Sequence, residues 1–210
     1  MHSTTYLING ISSNPDLTLV LSHGLQSSAS SPFMENLTDG LAAYGFKIIR
    51  FNFPFMEENK TNNTPIYLTN TLQLEQYWKK VITELGNPEK LVIGGKSIAG
   101  FAATKVADVL GVRGVVAMEF PFVSPDPDLI LKLSHLKKLK TPSIIIQGTQ
   151  APLGTPAQIN EAQHSHSLSM HWIADAGHNF MPSPQCKKSH EENMLEVMEC
   201  IAEFMDFLDA

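Results

Sequence analysis

One serine in this chain stands where a serine can be made to react. Lys90 to Gly100 reads K-L-V-I-G-G-K-S-I-A-G. A short apolar run meets two glycines, then Lys96 and Ser97, and small residues open a helical segment. A serine hydroxyl attacks poorly at neutral pH unless a base takes its proton, so a reactive Ser97 requires a titratable partner elsewhere in the chain. Gly95, two residues earlier, falls where a side chain would obstruct a sharp strand-to-helix turn. The competing reading is an ordinary glycine-flanked serine in a strand-to-helix loop. His164, His166 and His171 are a second group with chemical potential, but no Cys, Asp or Glu cluster accompanies them as metal sites require. A solvated helix end and strand is the better reading there, and neither a metal nor an organic cofactor is expected.

The elements that must carry Ser97 follow from apolar periodicity. Leu17 to Leu21 (L-T-L-V-L), Phe46 to Phe53, Leu91 to Ile93, Val112 to Glu119, Ser143 to Gln147 and Leu168 to Ile173 are short apolar runs of the kind buried on both faces of a parallel sheet. Tyr6 to Ile11 around Asn9-Gly10 reads as a short hairpin. Between the strands, Ser31-Pro32 caps a helix with Phe33, Leu37 and Leu41 on one face and Gly45 at its end. Leu74, Trp78, Val81, Ile82 and Leu85 share a second helical face, begun near Asn70 and stopped at Gly86.

After Ser97, Ala99, Gly100, Ala102, Ala103, Val106 and Ala107 are small enough to let a helix sit close against a sheet. Leu129 to Leu136 is an apolar-periodic segment. Thr155 to Gln158 and Ser189 to Glu192 are capping boxes, the second launching a final helix with Leu195, Met198, Ile201, Met205 and Leu208 inward. Strands alternating with helices imply a mostly parallel sheet with helices on both faces. Glu57 to Asn70 is polar and carries Pro65, a loop of 14 residues and long enough to be mobile or functional.

Composition narrows the classes of partner. The 210 residues are 43% hydrophobic, enough for one domain with a substantial core, and residues 1–210 are read as that domain. The net charge of −6 comes from scattered acids, which argues against a nucleic-acid partner. The two cysteines, Cys186 and Cys200, do not suggest a disulfide framework. No apolar run approaches the roughly 18 residues that span a bilayer, so a soluble, cytoplasmic protein is expected, with oligomeric state left open.

The Ser97 stretch resembles the nucleophile elbow of the α/β-hydrolases, with Ala99 where the G-x-S-x-G pattern has glycine and Gly100 one residue later. Three further stretches extend the resemblance. S-P-F-M-E with G-F-K-I-I-R-F-N-F-P-F-M-E, Q-G-T-Q-A-P-L-G-T and H-W-I-A-D-A-G-H-N-F (Ser31 to Glu35, Gly45 to Glu57, Gln147 to Thr155 and His171 to Phe180) are similar to a family of compact α/β-hydrolases. That family is related to dienelactone hydrolases and includes the hydrolase-like domain of NSL complex subunit 3. The resemblance implies a minimal α/β-hydrolase domain without a separate cap. It implies Ser97 as nucleophile, His178 as base, and the backbone N–H groups of Leu25 and Ile98 as the oxyanion hole. His23 is expected to be a packed, hydrogen-bonded residue.

The sequence departs from the family at the acid. The loop that would read G-T-R-D-P reads Gly148-Thr149-Gln150-Ala151-Pro152, and an alanine can neither fix the imidazole tautomer nor stabilise the imidazolium. Glu119, at the end of the preceding strand, is the candidate replacement; its alternative is a strand-end acid that is solvated or paired with a lysine. Asp175 is read as shaping its loop, and Asp126 and Asp128 as turn residues. Phe53, Phe55, Met56, Phe120, Phe122, Phe180 and Met181 are core or pocket wall. The expected activity is hydrolysis of a small ester, thioester or related acyl bond by Ser97, His178 and Glu119. The alternatives are a binding or interaction module with little or no turnover, and an acyltransferase.

Overall fold

The computed structural model describes residues 4–11, 17–25, 27–54, 71–123, 131–159 and 164–210. In these residues seven strands form one sheet: β1 (Tyr6–Asn9), β2 (Thr18–Ser22), β3 (Lys47–Phe51), β4 (Leu91–Lys96), β5 (Gly114–Met118), β6 (Ser143–Gly148) and β7 (Leu168–Ile173), in the order β1-β3-β2-β4-β5-β6-β7. All neighbours are parallel except β1 and β3. β1 pairs antiparallel with β3, Tyr6 opposite Phe51; the return strand of the hairpin expected at Asn9-Gly10 would run into residues 12–16, which lie outside the described residues.

Alternate residues of each strand feed opposite faces. Leu19, Leu21, Ile48, Val92, Val116 and Ile146 join a core covered by α1 (Pro32–Ala43) and α4 (His190–Asp209). Val20, Ile49, Ile93, Val115, Ala117 and Ile145 join the core under α2 (Leu72–Leu85) and α3 (Ile98–Leu110). Trp78, Phe51, Phe53 and Phe101 are fully buried on this second side, each contributing about 1.5–3 kcal/mol by leaving water.

Local signals set the helix ends. Ser31 caps α1 through its side chain with Pro32 in the first turn, and Ser189 and Glu192 complete both bonds of the capping box of α4. The N-cap of α2 is Thr71, beside the expected start near Asn70. The Thr155–Gln158 box forms its bond, Gln158 Oε1 accepting from the Thr155 N–H at 3.0 Å, but closes a turn; residues 160–163 lie outside the described residues. So do 55–70, which hold Phe55, Met56 and the Glu57 to Asn70 loop, and 124–130, which hold Asp126, Asp128 and the start of the Leu129 to Leu136 segment. The rest of that segment includes a short 3-10 turn, Leu133–Lys137.

The chain runs from β2 outward to β3, then crosses back to β4 on the other side of β2. Loops leaving the carboxyl ends of β2 and β4 therefore diverge and open a crevice, where ligands of open α/β sheets bind. Ser22-His23-Gly24 and Lys96-Ser97 are those two loop starts. No separate cap is present among the described residues.

Candidate active site

Ser97 occupies the junction of β4 and α3 with φ 52° and ψ −119°. That conformation costs on the order of 1–3 kcal/mol and persists only where the surroundings dictate it. They do so here: the Ser97 N–H donates to the Met118 carbonyl at 2.8 Å, and the Ser97 carbonyl accepts from Phe101 N–H at 3.1 Å. Gly95 has φ 143°, and a Cβ there would lie 2.0 Å from the Ser22 carbonyl oxygen. The place of the missing glycine is resolved by Gly100, whose added Cβ would meet that of Ala117 at 2.7 Å. Ala99 is buried, its carbonyl accepting from Trp78 Nε1 at 3.2 Å. Glycine is required at 100, where α3 touches β5, and a methyl is accommodated at 99.

The bond from Ser97 to Met118 brings the end of β5 beside the elbow, and the next residue is Glu119. Its backbone is left-handed, φ 47°, and its N–H donates to the Ile146 carbonyl at 2.9 Å. The side chain is 1% exposed, with Oε1 3.4 Å from His178 Nδ1 and Oε2 3.0 Å from Lys96 Nζ. Oε1 also accepts the Asn179 N–H at 2.6 Å. The Glu119 carboxylate thus pairs with a lysine and faces the His178 ring. Ala151 is 1% exposed and supplies no polar side chain.

His178 begins a short turn after β7 and leaves much of its ring exposed, 60% by side-chain area. It shares with Ser97 a cleft of about 680 Å³ whose walls include Gly24, Leu25, Phe33, Pro152 and Leu153. No hydrogen bond joins Ser97 Oγ to the His178 ring; such contacts are commonly long until substrate binds. Leu25 follows Gly24, and a Cβ on Gly24 would lie 3.6 Å from Ser97 Cβ, so this loop runs directly beside the serine. Ile98 is the first residue of α3, where amide groups have no partner within the helix and the dipole favours negative charge.

Other titratable candidates lie outside this arrangement. His23 is fully buried, its Nδ1 donating to the Gly24 carbonyl at 2.7 Å and its Nε2 accepting from Phe53 N–H at 3.2 Å. Asp175 is exposed; its N–H donates to Thr149 Oγ1 at 2.9 Å, which ties the loops after β6 and β7. His171 pairs with Glu196 at 3.2 Å, and no group of three metal-ligating side chains occurs among the described residues. Lys96 and Asn179 were not anticipated. A lysine closing a fully buried strand must find an acid, and Glu119 closes the neighbouring strand; that complementarity was the available signal.

Comparison with known proteins agrees with this fold. A family model described as an alpha/beta hydrolase domain matches residues 15–206. Among solved structures, the chain is similar to a dienelactone hydrolase from Anabaena variabilis, with 22% identity, 94% of this chain and 88% of that chain covered, and a TM-score of 0.72. It is also similar to an alpha/beta hydrolase enzyme from a sediment metagenome of the Mar Chica lagoon, Morocco (19% identity, 100% and 98% covered, TM-score 0.70). A lidless serine hydrolase from Xanthomonas campestris matches at 13% identity, with 96% and 87% covered and a TM-score of 0.68. At these identities the structures speak for the fold alone. No helix among the described residues is long and apolar enough to cross a membrane. With the family model spanning nearly its whole length, this chain belongs to the α/β-hydrolase family.

Proposed function

We propose that the protein is a serine hydrolase acting on a small ester, thioester or related acyl substrate, its 210 residues forming one catalytic domain. Ser97 attacks the acyl carbon and His178 takes the serine proton. Glu119 accepts a hydrogen bond from the Nδ1–H and steadies the imidazolium, and the N–H groups of Leu25 and Ile98 hold the developing oxyanion. His178 then passes the proton to the leaving group, and water resolves the acyl-enzyme by the same steps in reverse. No residue in this sequence of events calls for a metal or cofactor.

The observation that carries the reading is the buried Glu119 carboxylate 3.4 Å from His178 Nδ1, which answers the alanine at 151. Labelling with a fluorophosphonate probe tests it. Wild type should label rapidly, Ser97→Ala not at all, and Glu119→Gln more slowly by at least about 100-fold, since removing the triad acid can cost on the order of 10⁴. An unlabelled wild type would leave a binding module as the better account. Transfer to an acceptor other than water uses the same acyl-enzyme, and product analysis with and without added alcohols or amines separates it from hydrolysis.

A further inference from the structure

The Lys96 ammonium has no part in the reaction just described, yet it lies inside the reacting constellation. It is 8% exposed and within 3.0 Å of Glu119 Oε2. It also donates to the side-chain oxygen of Asn179 and sits 5.1 Å from the centroid of the Phe33 ring. Asn179 follows the proposed base, has left-handed backbone (φ 56°), and gives its own N–H to Glu119 Oε1 at 2.6 Å.

We propose that Lys96 is a positioning residue of this site: its ammonium holds Glu119 as the buried carboxylate that His178 needs. The inference rests on reading Ser97, His178 and Glu119 as the triad. A buried carboxylate needs a cation or hydrogen-bond donors to offset its lost hydration. Glu119 Oε2 has no hydrogen-bond partner, so the Lys96 ion pair is what compensates it, while Oε1 is left to Asn179 and His178. In a chain whose usual aspartate is Ala151, the lysine makes an acid at the end of β5 workable. With carboxylate, amide and ring face all engaged, Lys96 is also unsuited to binding an anionic substrate.

The ammonium has a second, electrical effect. The titratable groups around it are Glu119 after β5, His178 after β7 and, on the Asn179 carbonyl at 2.9 Å, His190 at the start of α4. Around them, α1 contributes Phe33 and the loop after β6 contributes Pro152 and Leu153. Replacing Lys96 by a neutral residue takes a fixed positive charge away from beside Glu119 and His178, so added positive charge there is opposed less.

The test is the second-order rate of fluorophosphonate labelling from about pH 5 to 9, for wild type, Lys96→Met, Lys96→Arg, Glu119→Gln and the Lys96→Met/Glu119→Gln double variant. Lys96→Met should slow labelling at least about 10-fold at neutral pH and move the acid limb upward by about one pH unit. Lys96→Arg should return the limb toward wild type, because it restores the charge. The double variant should label no more than about threefold slower than Glu119→Gln, since Lys96 acts through Glu119. Repeating the pair in a His190→Gln background checks that the limb does not belong to His190. A uniform loss with the limb unmoved, or losses that multiply, overturns the proposal. Should Lys96→Met fail to fold, Lys96→Gln removes the charge while keeping a hydrogen-bonding side chain and reads the same limb. Wild type that does not label overturns the triad reading beneath; wild type that labels with Lys96 variants unchanged overturns this inference alone.

Discussion

Arg50 and Ala29 tie the sheet to the loop that passes Ser97: the buried guanidinium, on β3, donates to the Ala29 carbonyl. Its other nitrogens grip Asn9 Oδ1 at 3.1 and 2.9 Å, and Asn9 in turn donates to Asp39 at 2.7 Å. The Ala29 N–H reaches Asn52 Oδ1 at 2.7 Å. Arg50 on β3 and Asn52 just after it thus fix Ala29, in the segment that begins with Gly24 and Leu25. A lysine can make one of these contacts but not the planar fork. Arg50→Lys should cost about 1–3 kcal/mol in urea unfolding and also slow fluorophosphonate labelling, because the Leu25 N–H loses its support while the Ser97 elbow is untouched. A loss of stability with an unchanged labelling rate would confine Arg50 to the fold.

The acid position offers a direct exchange. If Glu119 replaces an aspartate absent at 151, then a carboxylate restored at 151 should relieve its loss. Gly148 lets the two loops approach: a Cβ there would lie 2.2 Å from the Ala176 carbonyl oxygen. Ala151 is therefore held close to the chain that leads into His178. Ala151→Asp in the Glu119→Gln background should recover labelling by at least about 10-fold, a small part of the roughly 10⁴ that a triad acid can be worth. In the wild-type background the same substitution buries a second carboxylate with no need for it, and should lower the unfolding midpoint without speeding labelling.

What the sequence made legible was local. Ser31-Pro32 and Ser189 to Glu192 mark helix starts because the bonds they make span only three or four residues. The buried strands were legible because apolar runs between turn residues leave few other options, and Ser97 because its glycines belong to its own turn. Partners across the sheet were not. Asn9-Gly10 is a local turn signal, yet the strand before it pairs with β3, about forty residues away in sequence. Lys96 was hidden for the same reason: its partner became visible only once the register put Lys96 opposite Met118, one residue short of Glu119. Gly100 was legible as one of the small residues that let the helix sit close against the sheet, and the contact it permits is with Ala117.

His135 gives the protein a pH dependence that has nothing to do with the site. Its Nδ1–H donates to the Lys132 carbonyl at 3.2 Å, and its Nε2 lies 2.9 Å from Thr104 Oγ1, whose one hydroxyl proton also faces the Phe101 carbonyl at 2.7 Å. The ring meets Phe101 edge-on. Burial first, and the Lys105 charge second, push its pKa down from 6.5 to about 4. Between those values the unfolded chain binds a proton that the folded chain refuses, so the contribution of His135 to stability is full above about pH 6.5 and fades as pH falls toward 4. Carboxylates such as Asp108 add losses of the same sign at still lower pH: burial opposes its charge, but bonds from Thr141 and Lys140 hold its pKa below the ordinary value. A difference measurement isolates the histidine. Urea midpoints of wild type and His135→Gln, taken at about pH 4.5 and 7.5, should favour wild type more strongly at the higher pH, with the gap narrowing or reversing at the lower. Parallel behaviour at the two pH values would mean that this ring is not held neutral by the fold.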